Sequence, residues 1–576
     1  MATDAAVRPC VRVMGVVYTC AVHGHHLAGS WERVARVPRS SIFLLVHYCL
    51  HPLYGTCTLY AYCTWYHRMV PVKYPAPWEV WRRMWSSSVL LLIVAAQGAL
   101  LRPVMLYVDP CEERMHVVPS LERRGVEYVL LHSSPAAAAI IEAAQEAGDD
   151  GAAERVRDNA VPEPGEELVW ATAAIPDDAT ICGVLCSSDG GLADAERLQD
   201  VLVPARSNGV NVARRDKFLM LEAVREAGLA APMQACPRSL KETLQFLCTQ
   251  QYPVVLKPRR GQASVLVGLA HNENDARRMD AVLRDPSCHA SIDTSELGAG
   301  DTNVLVQEFL GGEEYVVDTV SADGEHRVLA LWRYDKREAN GAPFVYFGID
   351  ALPGAGEVQD ALVAYAREVL DAFGWRWGPC HLEVKLVPNA DSSARATASA
   401  DGAAGSEPPK HTSPGPVPSF APMLIEINAG RWNGEEFKDL SSLCTGYDAL
   451  EATLDAYLDP QRWSQVPRVP CSPLLAHGKN VKLVSRTRGA LAAPPAEAHA
   501  ESLAAMQSLL CFEPVYSVAG EPVFPTCDLA SCAGYAHLVH RDAALIERDY
   551  QALHALPLFA VRAASSEDNV NVARDS

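Results

Sequence analysis

Positive charge is scarce in this sequence. Lys and Arg number 50 against 70 Asp and Glu, a formal charge of −20 at pH 7. Nucleic-acid backbones are bound by clustered cations that displace counterions, so this balance argues against nucleic acid as a partner. Small anions are not excluded, because a few local cations and a metal ion override a negative total. The 17 cysteines form no CxxC pair, which argues against a zinc ribbon or a dithiol redox centre. Cys182 and Cys186, four apart in an apolar run, read as packing. Also absent are GxGxxG, the dinucleotide fingerprint, and GxSxG, the mark of an activated serine. The apolar run Val89–Leu101, about thirteen residues, falls short of the roughly 20 that a spanning helix needs, so no stable membrane span is expected.

What is present reads as a globular enzyme. Of 576 residues, 49% are hydrophobic and 21% charged, enough chain for two to four packed units. Residues 1–98 stand apart: rich in Tyr, Trp, His and Cys, nearly free of acids, and basic through Arg8, Arg12, Arg33, Arg36 and Arg39. They are left without a fold, as an organelle-targeting leader or as an extension of unknown role. Cytoplasm is the expected compartment, with organelle targeting through this extension the alternative.

From Pro103 the pattern alternates. PVMLYVDP reads as a buried parallel strand, Glu113–Arg124 as a helix and GVEYVLLHSS as a second strand. A helix over Ala136–Ala147, a Gly/Glu-rich loop and the strand ATICGVLCSSDGG complete half of a doubly wound sheet. RRDKFLMLEAVREAGLAAP then places Phe218, Leu221, Val224 and Leu229 on one helical face, stopped by Gly228. YPVVLKP is an extended run, NVLVQEFLGGEEYVVDTVS a strand broken at Gly311-Gly312, HRVLALWRYDK a further strand and Val358–Ala372 a helix. CHLEVKLVPN and PMLIEINAG are strand patterns separated by a low-complexity spacer of Ser, Ala, Gly and Pro, expected to be disordered over 389–420. Residues 475–563 supply a last strand, and a strand followed by a helix.

If the two strands around the spacer pair as a hairpin, Glu383 and Glu426 become neighbours, with Asn428 on the same face as Glu426. Three oxygen donors then converge, hard ligands suited to Mg²⁺, which takes its remaining ligands from waters and nucleotide phosphates. Taken singly, either acid is a solvent-facing strand residue. Lys257 ends the strand YPVVLK before a loop containing Gly261 and Ser264, a place where an ammonium holds a phosphate. Lys217, on the preceding helix, reaches the same phosphates if that helix packs against the site, and is otherwise a surface lysine.

In this order the segments RRDKFLMLEAVREAGLAAP, YPVVLKP, NVLVQEFLGGEEYVVD, HLEVKL and LIEINAGRWNG resemble the ATP-grasp superfamily. Within it the chain is most similar to L-amino-acid ligases and other carboxylate–amine ligases. The resemblance implies a mixed α/β and α+β chain: a doubly wound α/β domain over 99–205, an ATP-grasp fold over 206–470 containing the spacer, and a C-terminal α+β portion with tail over 471–576. It also implies roles. Lys217 and Lys257 contact ATP phosphates, with Ser264 in the phosphate loop. Glu308, Phe309 and Leu310 form the hinge that meets adenine, and Glu314 reaches the ribose. Glu383, Glu426 and Asn428 hold Mg²⁺, with Mn²⁺ as an alternative ion. Arg431 steadies the acyl phosphate and the oxyanion formed as the amine attacks.

Two departures from the family pattern stand out. KPRRGQASVLVG carries less glycine than the usual phosphate loop, and Arg431 follows Asn428 by three residues where two is usual, which a bulge at Gly430 could offset. Arg333 and Lys336 are candidates for docking a substrate carboxylate, or else a solvated strand end. His381 is a candidate substrate contact or a hydrogen-bonded structural histidine. The implied activity is ATP-dependent joining of a small carboxylic acid to an amine, forming an amide or dipeptide and releasing ADP and phosphate, with a homodimer as one expected assembly. The competing readings are an ATP-binding protein without turnover, and a carboxylase or phosphotransferase.

Overall fold

The computed structural model describes residues 47–50, 57–63, 68–74, 101–110, 117–261, 263–285, 302–388, 420–434 and 437–562. It divides into two units, Met1–Ala99 and Leu100–Ser576. In the first, β1 (His47–Leu50), β2 (Cys57–Cys63) and β3 (Arg68–Tyr74) form an antiparallel sheet in that order. The rest of the extension and, apart from Leu101, the run Val89–Leu101 lie outside the described residues. Among the described residues, no helix is long and apolar enough to cross a membrane.

The second unit opens on a parallel sheet of β4 (Arg102–Val108), β5 (Glu127–Leu131) and β6 (Ala179–Cys186), ordered β5-β4-β6. A central parallel strand is covered on both faces, and Met105, Leu106, Tyr107 and Val108 are accordingly sealed from solvent. One face packs on the helix Leu192–Leu202. The other shares a core with Trp432, Leu454 and Tyr457, far along the chain. The stretch after Ala147, expected as a loop, contains two helices instead, Asp150–Asp158 and Glu167–Ala174. Asp149 starts the first of them, its carboxylate accepting from Ala152 N.

Next come β7 (Gln234–Ala235), β8 (Val254–Pro258), β9 (Gly268–Ala270) and β10 (Val304–Glu308), an antiparallel sheet ordered β7-β10-β8-β9. Helices Leu240–Leu247 and Glu273–Arg284 bury Val254, Leu256, Val304 and Val306 beneath them. The break at Gly311-Gly312 proves to be a change of sheet, because β11 (Glu314–Ala322) belongs to another one.

That sheet has eight strands. Its members are β11, β12 (Glu325–Ala339), β13 (Ala342–Leu352), β14 (Gly378–Pro388), β15 (Phe420–Ala429), β16 (His477–Lys482), β18 (Leu509–Pro514) and β20 (Gly534–His540). They lie in the order β15-β14-β11-β12-β13-β16-β20-β18, while β17 (Gly489–Ala490) and β19 (Pro522–Val523) pair separately. Helix Glu357–Ala372 covers one face with Leu362, Ala366, Val369 and Leu370, a spacing of four, three and one that keeps them on one stripe. Helix Lys217–Glu226 joins it through Met220, Leu221 and Val224, and Gly228, with φ +81°, ends that helix. The spacer 389–420 lies outside the described residues except Phe420, which begins β15. β13 escaped sequence reading, and the C-terminal portion is not a separate sheet, since β16, β20 and β18 extend the one that carries β14 and β15.

Leu382, fully buried beneath the helices on β14, offers a stability test. Leu382→Ala is expected to cost about 3 kcal/mol through lost burial and the cavity left behind, read as a drop in thermal midpoint with nucleotide absent.

Candidate nucleotide and metal site

The four-stranded and eight-stranded sheets enclose an open cavity of about 770 Å³. Its floor is set by strand register. β14 and β15 pair so that Glu383 stands directly opposite Glu426, with an irregularity just after Glu383. That irregularity lets successive residues Ile425 and Glu426 both line the cavity, as bulges re-aim side chains. Asn428 sits opposite His381, one step further along, and is not among the lining residues.

Two buried lysines face these acids. Helix Lys217–Glu226 begins at an N-cap, Asp216, whose carboxylate accepts from Phe218 and Leu219 N and pairs with Arg259 Nε at 2.6 Å. The cap fixes Lys217, whose Nζ donates to Glu426 Oε1 at 2.8 Å and to Gly261 O at 2.5 Å. Lys217 is therefore no surface lysine. Lys257, at the end of β8, is 4% exposed, and burial followed by the nearby Lys217 charge pushes its ammonium down to about 8. Burial alone would push Glu383 up. Lys336, His381 and Lys217 outweigh it and hold this carboxyl well below the usual range. Tyr334 OH also donates to Glu383 Oε1 at 3.2 Å.

At the other end the cavity is aromatic. Phe309 and Phe344 stack with centroids 6.5 Å apart, beside Leu310 and Ile425. Glu308 Oε2 accepts from Met233 N at 2.9 Å. The chain turns from β10 into β11 at Gly312, φ +93°, where a Cβ would lie 2.0 Å from Leu386 O, so only glycine fits. Glu314 pairs with Lys336, whose Nζ lies over the rings of Tyr334 and Tyr346 at 4.6 and 4.2 Å. The loop after β8 holds three non-glycine residues in the left-handed region, Ala263, Ser264 and Leu266, and Ser264 lines the cavity.

The three substrate candidates fall in different places. Lys336 belongs to this same cavity, tied to Glu314. Arg333, three residues earlier, emerges on the other face of β12 and bonds Asp350 Oδ2 at 3.1 Å. His381 is 2% exposed, its Nδ1 2.8 Å from Asp318 Oδ1 and its Nε2 3.7 Å from Glu383 Oε1. Burial opposes its charge, but Asp318 and Glu383 win and lift the imidazole to about 9. It lies against Glu383 and lines neither this cavity nor the second one described below. Arg431 follows Gly430, whose φ of +105° turns the chain off the end of β15. Its guanidinium is gripped by Asp189, through Nε and, at 3.3 Å, through the terminal nitrogen.

Sequence reading missed Lys385, Phe344 and Asp189. Lys385 lines the cavity and stands two residues from Glu383, so strand alternation alone points to it. A second cavity, about 490 Å³, opens on the same sheet face two residues along from the row that holds Glu383; Asp318, Trp432, Phe437 and Lys438 line it. Asp318 is held there by Trp332 Nε1 at 2.7 Å.

Chemically, paired buried ammoniums suit a polyphosphate, and paired carboxylates a hard divalent ion that keeps waters. Among the described residues no group of three or more His, Cys, Asp and Glu is placed to hold a metal ion.

Residues 250–393 match the ATP-grasp domain family. Dapdiamide A synthase of Enterobacter agglomerans is 28% identical over 295 residues, 50% of this chain; the chain spans 59% of that relative's length. The crystal structure of L-amino acid ligase from Bacillus licheniformis superposes with a TM-score of 0.53 at 17% identity, covering 78% of this chain and 97% of that one, a likeness of fold.

Proposed function

We propose, from the match of residues 250–393 to the ATP-grasp domain family, that the protein is an ATP- and Mg²⁺-dependent carboxylate–amine ligase that forms an amide or dipeptide bond through an acyl phosphate. The observation that carries this reading is the direct opposition of Glu383 and Glu426 beneath the buried Lys217 and Lys257. Glu383 and Glu426, with Asn428 in the outer position, would hold Mg²⁺ or Mn²⁺, which would neutralise charge between the triphosphate and an approaching carboxylate. Lys217 and Lys257 take the phosphates, backbone groups of Glu308–Leu310 meet adenine between the Phe309 and Phe344 rings, and Glu314 takes the ribose. His381 keeps Glu383 ionised and aimed. Arg431 faces the carboxylate as it is phosphorylated, and the oxyanion as the amine attacks. The second cavity, walled by Trp432, Phe437 and Leu450, gives room for the acid's side chain.

The test is a phosphate-release screen of the full chain with ATP, Mg²⁺ and pairs of amino acids. Release that depends on the amine is expected. ATP binding with no release for any pair would instead mark a nucleotide-binding protein without turnover.

Lys257 makes the affinity depend on pH. Its free ammonium loses its proton near 8, and a triphosphate binds the protonated form. Full affinity is therefore present below that value and is lost as pH rises through it, by up to about tenfold per unit. Calorimetric titration of Mg·ATP from about pH 7 to about pH 9 checks this, and Lys257→Arg should flatten the profile.

A further inference from the structure

The phosphate loop is short of glycine yet adopts a backbone that glycine favours. Ala263, Ser264 and Leu266 have φ of +57°, +62° and +56°, a region L-residues enter only when their surroundings insist. Among the described residues, Val267 N donates to Ser264 O at 3.2 Å within the loop and Lys217 Nζ donates to Gly261 O at its start. A further support comes from the far end of the chain, where Leu529 N donates to Ala263 O at 3.1 Å. Leu529 sits in a turn tied by its own side chains: Ser531 N and Oγ bond Asp528 Oδ1 at 2.8 and 2.6 Å, and Ser531 Oγ accepts from Cys527 N at 2.9 Å. The turn is anchored through Thr526, whose N donates to Ser485 O at 2.9 Å and whose Oγ1 accepts from Ser485 N at 3.0 Å. Asn340, at the tip of the β12–β13 hairpin, bonds Ser485 O and Thr526 O at 2.9 and 2.7 Å. That hairpin carries Lys336 and Phe344 into the nucleotide cavity. Hydrogen bonds at either end of the short stretch Thr526–Leu529 thus join two walls of one cavity by way of the C-terminal segment.

We propose that the Thr526–Cys532 segment is the positioning element of the phosphate loop, holding it shaped for a polyphosphate from outside, where glycine-rich loops rely on their own backbone. This rests on the reading of the cavity as a nucleotide site. Leu529 and Asp528 act through the loop and touch no substrate.

Two variants of the full chain test it. Leu529→Pro deletes the donor, and Asp528→Ala/Ser531→Ala loosens the turn; Leu529→Ala keeps the N–H and serves as the conservative variant. Trypsin cleavage after Arg260, which is 7% exposed, reports loop opening without any nucleotide. Both test variants should be cut about fivefold faster than wild type, the worth of one net hydrogen bond. Their KM for ATP should rise by a similar factor with kcat nearly unchanged, and Leu529→Ala should match wild type. Wild-type cleavage rates and KM in a folded Leu529→Pro protein overturn the proposal, as does an equal effect in Leu529→Ala. Should Leu529→Pro not fold, the double variant decides by the same criteria. Faster cleavage in a protein that binds no ATP would keep the brace and sink the nucleotide reading instead.

Discussion

Glu426→Gln is expected to lower amine-dependent phosphate release at least roughly 10³-fold while leaving the thermal midpoint near that of wild type. The amide keeps the shape of the side chain, and its oxygen still accepts from Lys217, which retains its second bond to Gly261 O. What it lacks is negative charge. A hard divalent ion placed between Glu383 and Glu426 loses one of its two anionic protein ligands, so occupancy at millimolar metal falls with turnover. ATP binding measured without metal should survive, because the lysines and the aromatic end are untouched. Raising Mg²⁺ should recover part of the activity in Glu426→Asp and almost none in Glu426→Gln. Full turnover in the glutamine variant would falsify the metal assignment outright.

Asp189→Asn should lower kcat by roughly 100-fold, the scale of a misplaced catalytic group, with KM for ATP hardly altered. Arg431 follows Asn428 by three residues, and Gly430 turns the backbone between them. The guanidinium is then aimed by Asp189, from the end of the parallel sheet, with Arg431 donating to Trp432 O at 3.1 Å as a further hold. Burial disfavours the charge on Arg431, and Asp189 more than restores it. An amide in place of Asp189 keeps an acceptor but loses the charge and half of the fork. Arg431→Lys and the pair of substitutions complete a double-mutant cycle. Strong non-additivity in kcat identifies one acting unit; simple addition would show that Asp189 does not aim Arg431.

The hairpin behind the Glu383–Glu426 pair was readable because HLEVK and LIEIN each alternate with period two, and their shared face follows from counting. The same counting bears on Arg333 and Lys336: three residues apart on a strand, they cannot both face one cavity, and only Lys336 does. Asp150–Asp158 was hidden by composition, since DGAAERVRD carries only Ala153 and Val156 inward and looks like loop until its cap is seen. Asp189 could not be paired with Arg431 by any local pattern, being 242 residues away. Likewise nothing local in VKLV or AHLVH reveals which sheet they join. Such pairings are fixed by shared cores, here the one linking Trp332 and Ile349 with Val539.

That shared sheet limits how relatives can be recombined. β13 is laddered to β16 through Gly348, Ile349 and Asp350, and β16 in turn to β20. Splicing a foreign tail on after residue 470 would sever a ladder and a core at once, so a working chimera has to inherit residues 342–540 from a single parent.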